Sequence, residues 1–258
     1  MVYDYEYFKS AVLKMISIDL NAYKERQMKR RIDTLIAKNG FDGYEKYVQA
    51  LRTDARLLDE FINYLTINVS EFYRNPDQWR ILENQIVPEM IQKFGSNLKV
   101  WSAACSTGDE PYSLVMALSR HISLSKIKII ATDIDRQVLQ RAKEGLYVAK
   151  SIAAVPEDLR KRYFVPVGSA YRISDDIKKC VEFKEHDLLK DPYPSDCHII
   201  VCRNVLIYFT EEAKEIIYRD FYKALKKGGK LFVGSTEQIL DYKEIGYTRD
   251  NSFFYEKV

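Results

Sequence analysis

From Lys99 to Ser113 the order of residue types admits few folds. Lys99-Val100-Trp101-Ser102-Ala103 is short and mostly apolar, as a buried strand requires; Ala104 to Thr107 are small; Gly108 stands alone. From Pro111 the positions Leu114, Ala117 and Leu118 take helical spacing. Strand, tight turn and helix in that order open a nucleotide-type βαβ unit.

The turn differs from a dinucleotide turn in its charge. A pyrophosphate needs several glycines so that backbone and helix N-terminus can approach it, whereas here Asp109 and Glu110 follow a lone glycine and repel phosphate. They suit an adenosine ligand with a cationic tail, and S-adenosylmethionine, with its sulfonium and α-ammonium, is one. A second reading stands beside it: both acids simply favour the positive end of the helix dipole.

A 258-residue chain with 47% hydrophobic residues can bury a substantial core as one large domain or two smaller ones. The net charge of +3, from 40 basic and 37 acidic residues, gives no global footprint for nucleic acid. Cys105, Cys180, Cys197 and Cys202 form no C-x-x-C pair, which predicts reduced, buried thiols. There is no apolar run of membrane-spanning length, and Asp4 and Glu6 do not fit a signal peptide, so a cytoplasmic protein with no membrane insertion is expected.

Residues 1–75 read as helices and a linker. Tyr7, Phe8, Ala11, Val12 and Met15 make one apolar face, and a second helix is expected from about Asn21 to Asn39, stopped by Gly40. A third starts near Asp42, and a fourth carries Leu57, Leu58, Phe61, Ile62 and Leu65. In the second, Met28, Ile32, Leu35 and Ile36 point inward, which sends Arg26, Lys29 and Arg30 to solvent with Lys24 and Arg31 at the flanks. That stripe is either a solvated face or a surface for an acidic partner. The segment Asn68 to Pro76 follows, either a plain connection or a lid.

Beyond the opening unit, strands and helices alternate: Ile127–Ala131, a helix through Leu139, Cys197–Cys202, a helix from Thr210 to Lys227 stopped by Gly228 and Gly229, then Leu231-Phe232-Val233. Asp133, where the second strand ends, is placed to accept two ribose hydroxyls; the competing role of helix N-cap fits Asp135 or Thr132 better. Residues 145–187 read as an inserted small β-subdomain that includes Val181-Glu182-Phe183, and Gly246 to Tyr255 as a terminal hairpin, which points away from a dinucleotide fold.

Three motifs, Asn68-Val69-Ser70-Glu71-Phe72-Tyr73-Arg74, the Trp101–Ser113 run, and Cys202-Arg203-Asn204-Val205-Leu206-Ile207-Tyr208-Phe209, stand in this order with Ala-Thr-Asp-Ile-Asp at 131–135. Over nearly its whole length the chain resembles the chemotaxis receptor methyltransferases, the CheR family of S-adenosylmethionine-dependent protein-glutamate O-methyltransferases. The resemblance implies an α/β fold: a Rossmann-like class I methyltransferase sheet with a terminal antiparallel hairpin over 76–258, preceded by an all-α domain and carrying the inserted β-subdomain.

By the same resemblance Asn68, Ser70 and Arg74 close over the cofactor, Glu110 contacts its methionine end and Asp133 its ribose. Asp187 and Leu188 flank the adenine, where the family often has Asn in place of Asp187; Arg203 and Asn204 are strand-end cofactor contacts, and Tyr208 is the aromatic beside the transferred methyl. The N-terminal helices would face the methylation helices of chemotaxis receptors' cytoplasmic domains, which gives Arg26, Lys29 and Arg30 a partner. In some members the subdomain grips a receptor tail through a glycine-rich loop; Val165 to Ile173 is short and has only Gly168.

A receptor glutamate, with an ordinary pKa of about 4.3, is already a nucleophile at neutral pH. No base or metal is needed, which agrees with the scatter of His121, His186 and His198. Arg74 and Tyr208 are then expected to steer the incoming carboxylate, and S-adenosylhomocysteine is the product. The alternatives are methyl transfer to nucleic acid or a small molecule, for which the fourth strand's end lacks an Asn/Asp-Pro-Pro-aromatic segment, and a non-catalytic adaptor, against which Glu110 and Asp133 argue.

Overall fold

The structure, a computed structural model, describes residues 3–258. The chain forms two compact units: Met1–Asn68 with Val205–Ile216, and Val69–Asn204 with Ile217–Val258.

The smaller unit contains α1 (Tyr5–Ile16), α2 (Glu25–Lys38), α3 (Tyr44–Thr53) and α4 (Ala55–Leu65). Asp4 caps α1 through the Tyr7 N–H, and Asp54 caps α4 through Arg56 and Leu57. The helices bury Phe8 and Tyr47, stacked on each other, edge to face against Phe61, with Met28, Ile32, Leu35 and Ile36 from α2. Tyr7 and Met15 lie at the margin of this core, and Tyr5 is buried instead. α2 starts later than the sequence suggests because residues 22–24 are spent pairing with the returning segment Val205–Ile216: Lys24 N–H donates to Tyr208 O at 2.9 Å, Thr210 N–H to Ala22 O at 2.9 Å, and the Tyr23 and Phe209 rings lie 4.6 Å apart.

In the larger unit, the segment 69–75, grouped above with the helical part as a linker, is anchored at its middle, while Val69, Glu71 and Asn75 are exposed. Phe72 and Tyr73 are buried, Phe72 N–H donates to Ser151 O, and Tyr73 N–H donates to Ser113 Oγ. The segment is a strap pinned at Phe72 and Tyr73. It leads into α5 (Pro76–Ile81), a π turn over Leu82–Ile86, and α6 (Val87–Phe94). The π turn comes just before Pro88, which has no N–H for the preceding turn.

The sheet elements follow: β1 (Lys99–Ala103), α7 (Asp109–Ser119), β2 (Lys128–Asp133), α8 (Arg136–Glu144), β3 (Leu146–Val148), α9 (Glu157–Tyr163), β4 (Phe164–Val167), β5 (Ala170–Ile173), α10 (Asp175–Lys178), β6 (Val181–Glu185), β7 (Cys197–Cys202), α11 (Glu211–Ala224), β8 (Leu225–Val233), α12 (Tyr242–Ile245), β9 (Tyr247–Arg249) and β10 (Phe254–Lys257). Seven strands run in the order β6-β2-β1-β7-β8-β10-β9, parallel through β8, with β10 antiparallel to both β8 and β9. This is the doubly wound sheet with the terminal hairpin. The order reverses between β1 and β7, and a ligand crevice opens at the carboxyl ends on either side of such a point.

Two assignments differ from the sequence reading. Val181-Glu182-Phe183 belongs to β6, the edge strand paired with β2, so the inserted antiparallel sheet is only β3-β5-β4. Gly228 and Gly229 do not stop α11; they lie inside β8, where Cys197 pairs with Leu225 but Ile199 with Lys230, and the extra residues bulge out at Gly228 (φ +76°).

Candidate functional site

Every strand that borders the crevice ends in a residue with a polar side chain or in a turn that carries one. The turn after β1 runs Ala104 to Gly108, with left-handed backbone at Ala104, Ser106 and Gly108. Non-glycine residues rarely accept that conformation, and their concentration here marks a backbone held against its preference. Gly108 could not be otherwise: besides its φ of +88°, an added Cβ would lie 2.9 Å from Ala142 Cβ and 3.1 Å from the Tyr112 ring.

α7 begins at Asp109, two residues before Pro111, and its first turn divides the two acids. Asp109 is buried and structural: Thr107 Oγ1 donates to it at 2.5 Å, Ser70 shares a side-chain hydrogen bond with it, and burial raises its pKa. Glu110 faces the crevice side of the turn. Ser102 Oγ donates to Glu110 Oε1 at 2.8 Å and Arg203 Nη1 lies 3.8 Å from Oε2. Desolvation pushes its pKa up to about 7, against the pull of Arg203 and Ser102. The helix-dipole reading thus accounts for Asp109, and the ligand reading is left with Glu110.

Asp133 ends β2. Its Oδ2 accepts from Ser106 N–H at 2.8 Å and its Oδ1 from Asp135 N–H at 3.0 Å, while desolvation raises its pKa to about 6. Asp135 is the helix cap, accepting from Gln137 and Val138, and this leaves Asp133 free of that duty. Each Asp133 oxygen keeps a lone pair for another donor.

Beyond β6, Leu188 is buried, but the Asp187 carboxylate turns back on its own loop. It accepts from Leu189 N–H at 2.9 Å and lies 3.7 Å from Lys190 Nζ. Its side chain is therefore committed locally, and the expected cofactor contact through that carboxylate has a competitor in the turn.

Beyond β7, Arg203 is bonded at one terminal nitrogen, while its Nε is buried with no partner among the described residues. Its Nη2 donates to Arg74 O (2.8 Å), Asn75 Oδ1 (3.1 Å) and Gln78 Oε1 (2.7 Å), and its guanidinium lies 4.7 Å from the Phe232 ring centre. Burial lowers its pKa, opposed by Glu110 and Glu237. It binds the 74–78 strap to the acidic wall. Arg74 itself makes one side-chain bond, to Val69 O at 3.3 Å, and lies close enough to Glu110 to favour its ionised form.

Asn68, Tyr208, Arg26, Lys29 and Arg30 belong to the smaller unit. Asn68 Nδ2 donates to Thr66 Oγ1 at 2.8 Å, and Tyr208 is half-buried with its carbonyl taken by Lys24. Arg26 and Arg30 are exposed, as expected of the basic stripe. Lys29 departs from it: it is half-buried, paired with Asp33 at 3.0 Å and set over the Tyr5 and Tyr44 rings, so its charge is neutralised within the unit.

Three residues of this region escaped the sequence reading: Ser102, Ser106 and Glu237. Glu237 had a readable signal, an acid just past the apolar end of β8, the same feature that singled out Asp133. The crevice suits a ligand with hydroxyl donors and a positive charge. Two carboxylates have pKa values raised by burial, and Ser106 Oγ and Asn204 Oδ1 are buried with no protein partner among the described residues. A phosphate would meet Glu110 and Asp133 at unfavourable range; a ribose with a sulfonium and an ammonium meets acceptors.

Comparison with known proteins agrees with this chemistry. Residues 68–251 match the family model "CheR methyltransferase, SAM binding domain", and residues 3–66 match "CheR methyltransferase, all-alpha domain". The chain is 43% identical over 254 residues to a chemotaxis protein methyltransferase of Listeria innocua, covering 98% of this chain and 97% of that one. It is 44% identical to one of Listeria monocytogenes at the same coverage. It is 33% identical to the chemotaxis protein methyltransferase Cher2 of Pseudomonas putida over 92% of this chain and 90% of that one.

Proposed function

The chain belongs to the CheR methyltransferase family, and from that premise we propose that it methylates the side-chain carboxylate of glutamates on chemotaxis receptors, leaving glutamate methyl esters. Its fold is the class I methyltransferase sheet and its cofactor is S-adenosylmethionine. No helix among the described residues is long and apolar enough to cross a membrane. The observation that carries the reading is the acidic crevice, with raised pKa values at Glu110 and Asp133, at the carboxyl edge of β1 and β2.

In this reading Asp133 accepts the ribose hydroxyls, Glu110 the α-ammonium, and Leu188 supplies an apolar wall for the adenine. The bound cofactor supplies an electrophilic methyl on a positively charged sulfur. The residues around it have to keep the acceptor oxygen in line with the methyl at roughly 3–3.5 Å and exclude water. Charge on carboxylate and sulfonium is annihilated in the transfer, so a dry site favours the transition state over the separated ions. The acceptor glutamate is ionised at neutral pH and needs no base. The histidines are engaged elsewhere: His121 with Glu83 O, His198 with Lys99 N–H, and His186 with Pro192 O.

Arg74 and Tyr208 steer the receptor carboxylate, and Arg26 and Arg30 offer positive charge to an acidic receptor helix. Arg74→Ala is expected to lower methylation more than about tenfold, the scale of one lost charge-assisted contact. The fold should survive, because that side chain makes one weak bond to Val69 O. A near-wild-type rate would remove Arg74 from the mechanism. The function itself is tested with S-adenosylmethionine labelled in its methyl group and receptor cytoplasmic fragments. Label released by mild base identifies an ester; base-stable label, or label found only on RNA, contradicts the proposal.

A further inference from the structure

We propose that Glu237 positions the Asn204 turn and adds the negative charge by which the pocket distinguishes S-adenosylmethionine from its uncharged-sulfur product. The proposal rests on the reading that the cofactor's methionine end lies toward Glu110 and Asn204.

Glu237 is 4% exposed, three residues past Gly234 at the end of β8. Its Oε2 accepts from the backbone N–H of Gly234 at 3.1 Å and from that of Asn204. Asn204 sits at φ +60°, a left-handed conformation that asparagine tolerates better than most residues, and this carboxylate is a bond that holds it there. The other end of Glu237 is fixed as well, its carbonyl accepting from Tyr218 Oη at 3.3 Å. Gly234 makes the arrangement possible. Its backbone is not left-handed, yet an added Cβ would lie 2.3 Å from Glu237 Oε2 and 3.0 Å from Asn204 N, so the glycine serves to make room for the carboxylate.

The charge matters beyond the two hydrogen bonds. Glu237 is near enough to Glu110 to raise it and to Arg203 to favour its charged form, and Arg74 acts on both of those residues in the opposite sense. S-adenosylmethionine and S-adenosylhomocysteine share ribose, adenine and amino acid and differ by a methyl and one positive charge. Removing one carboxylate from this group therefore acts on the first far more than on the second.

Calorimetric titration of the full chain with each compound separates these roles. Glu237→Gln keeps the shape and one acceptor and loses the charge. The S-adenosylmethionine Kd should rise about tenfold, on the scale of one unit charge in a poorly solvated site, and the S-adenosylhomocysteine Kd less than about twofold. Gly234→Ala, which displaces the carboxylate and crowds Asn204, should weaken both compounds and S-adenosylmethionine the more, with thermal melting of the ligand-free variants reporting that they fold. Equal losses for both compounds overturn the charge role and leave Glu237 only its hold on the Asn204 turn; no loss for either overturns both roles. Asp133→Asn is the control for the premise: it should weaken both compounds alike, and unchanged affinity for both would displace the cofactor from this crevice altogether.

Discussion

Asp133→Asn is expected to weaken S-adenosylmethionine binding about a hundredfold, the loss of one hydrogen bond to a charged acceptor and the reduction of a second to a neutral one, about 3 kcal/mol together. Asp133 is an acceptor at both oxygens, taking Ser106 N–H and Asp135 N–H while keeping lone pairs for the ribose. An asparagine amide must turn its NH2 group toward one of those donors. Two donors then face each other, and either the Ser106 turn or the ribose loses its partner. The fold should suffer less than the binding, because the β2 backbone keeps its pairing with β1 and β6. Isothermal titration measures the affinity and urea unfolding the stability; an affinity within about threefold of wild type would exclude the ribose role.

Arg203→Ala is expected to cost about 3–5 kcal/mol of folding stability, the scale for removing one partner from a buried charged network. The change leaves Asn75, Gln78 and the Arg74 carbonyl without their common donor, opens a space beside Phe232 and Trp79, and leaves Glu110 without its nearest cation. Glu110 should then move further above its present value of about 7 and be protonated at neutral pH. Stability and cofactor affinity should fall together, and Arg203→Met, which restores volume, should recover only part of the stability, because Asn75 Oδ1 and Gln78 Oε1 still lack this donor while Arg74 O keeps only the Trp79 Nε1 bond. A loss under about 1 kcal/mol in urea melts would mean that the strap does not depend on this guanidinium.

The outcome for Arg203 shows what a sequence leaves open. A basic residue at a strand's carboxyl end looks like a ligand contact, and only the tertiary arrangement shows that its Nη2 is bonded to residues 74–78, far away in the chain, while its Nε is buried without a partner among the described residues. Asp109 and Glu110 are indistinguishable as neighbours in a first turn; the helical rotation between them sends one toward Thr107 and Ser70 and the other toward Ser102 and Arg203. Lys29 belongs to a basic stripe by spacing, but Asp33 one turn on neutralises it. In contrast, β1 and its turn were legible, since apolar, small and helical spacing succeed one another within a few residues. So was the place of Asp133: the strand ends on it, and Asp135, not Asp133, caps the helix that follows. β6 was read as a strand, but its mixed burial gave no sign that it pairs with β2 rather than with the inserted sheet, and Gly228-Gly229 gave a local helix-stop signal that sheet pairing overrode.

The electrostatics of the crevice offer the most direct measurement of all. Glu110 and Asp133, with pKa values of about 7 and about 6, hold protons near neutral pH that their unfolded counterparts have already lost. Ligand-free stability should therefore fall as pH rises from about 4.5 toward 7, because the folded state binds more protons over that window. A cationic ligand reverses the preference by favouring the ionised carboxylates, so binding should release protons. Titration of the full chain with S-adenosylmethionine between pH 5.5 and 7.5, in buffers of different ionisation heat, reads both effects. The expected result is an affinity that rises about tenfold across that range with net proton release; an affinity independent of pH, with no proton released, would contradict the carboxylate-lined cofactor site.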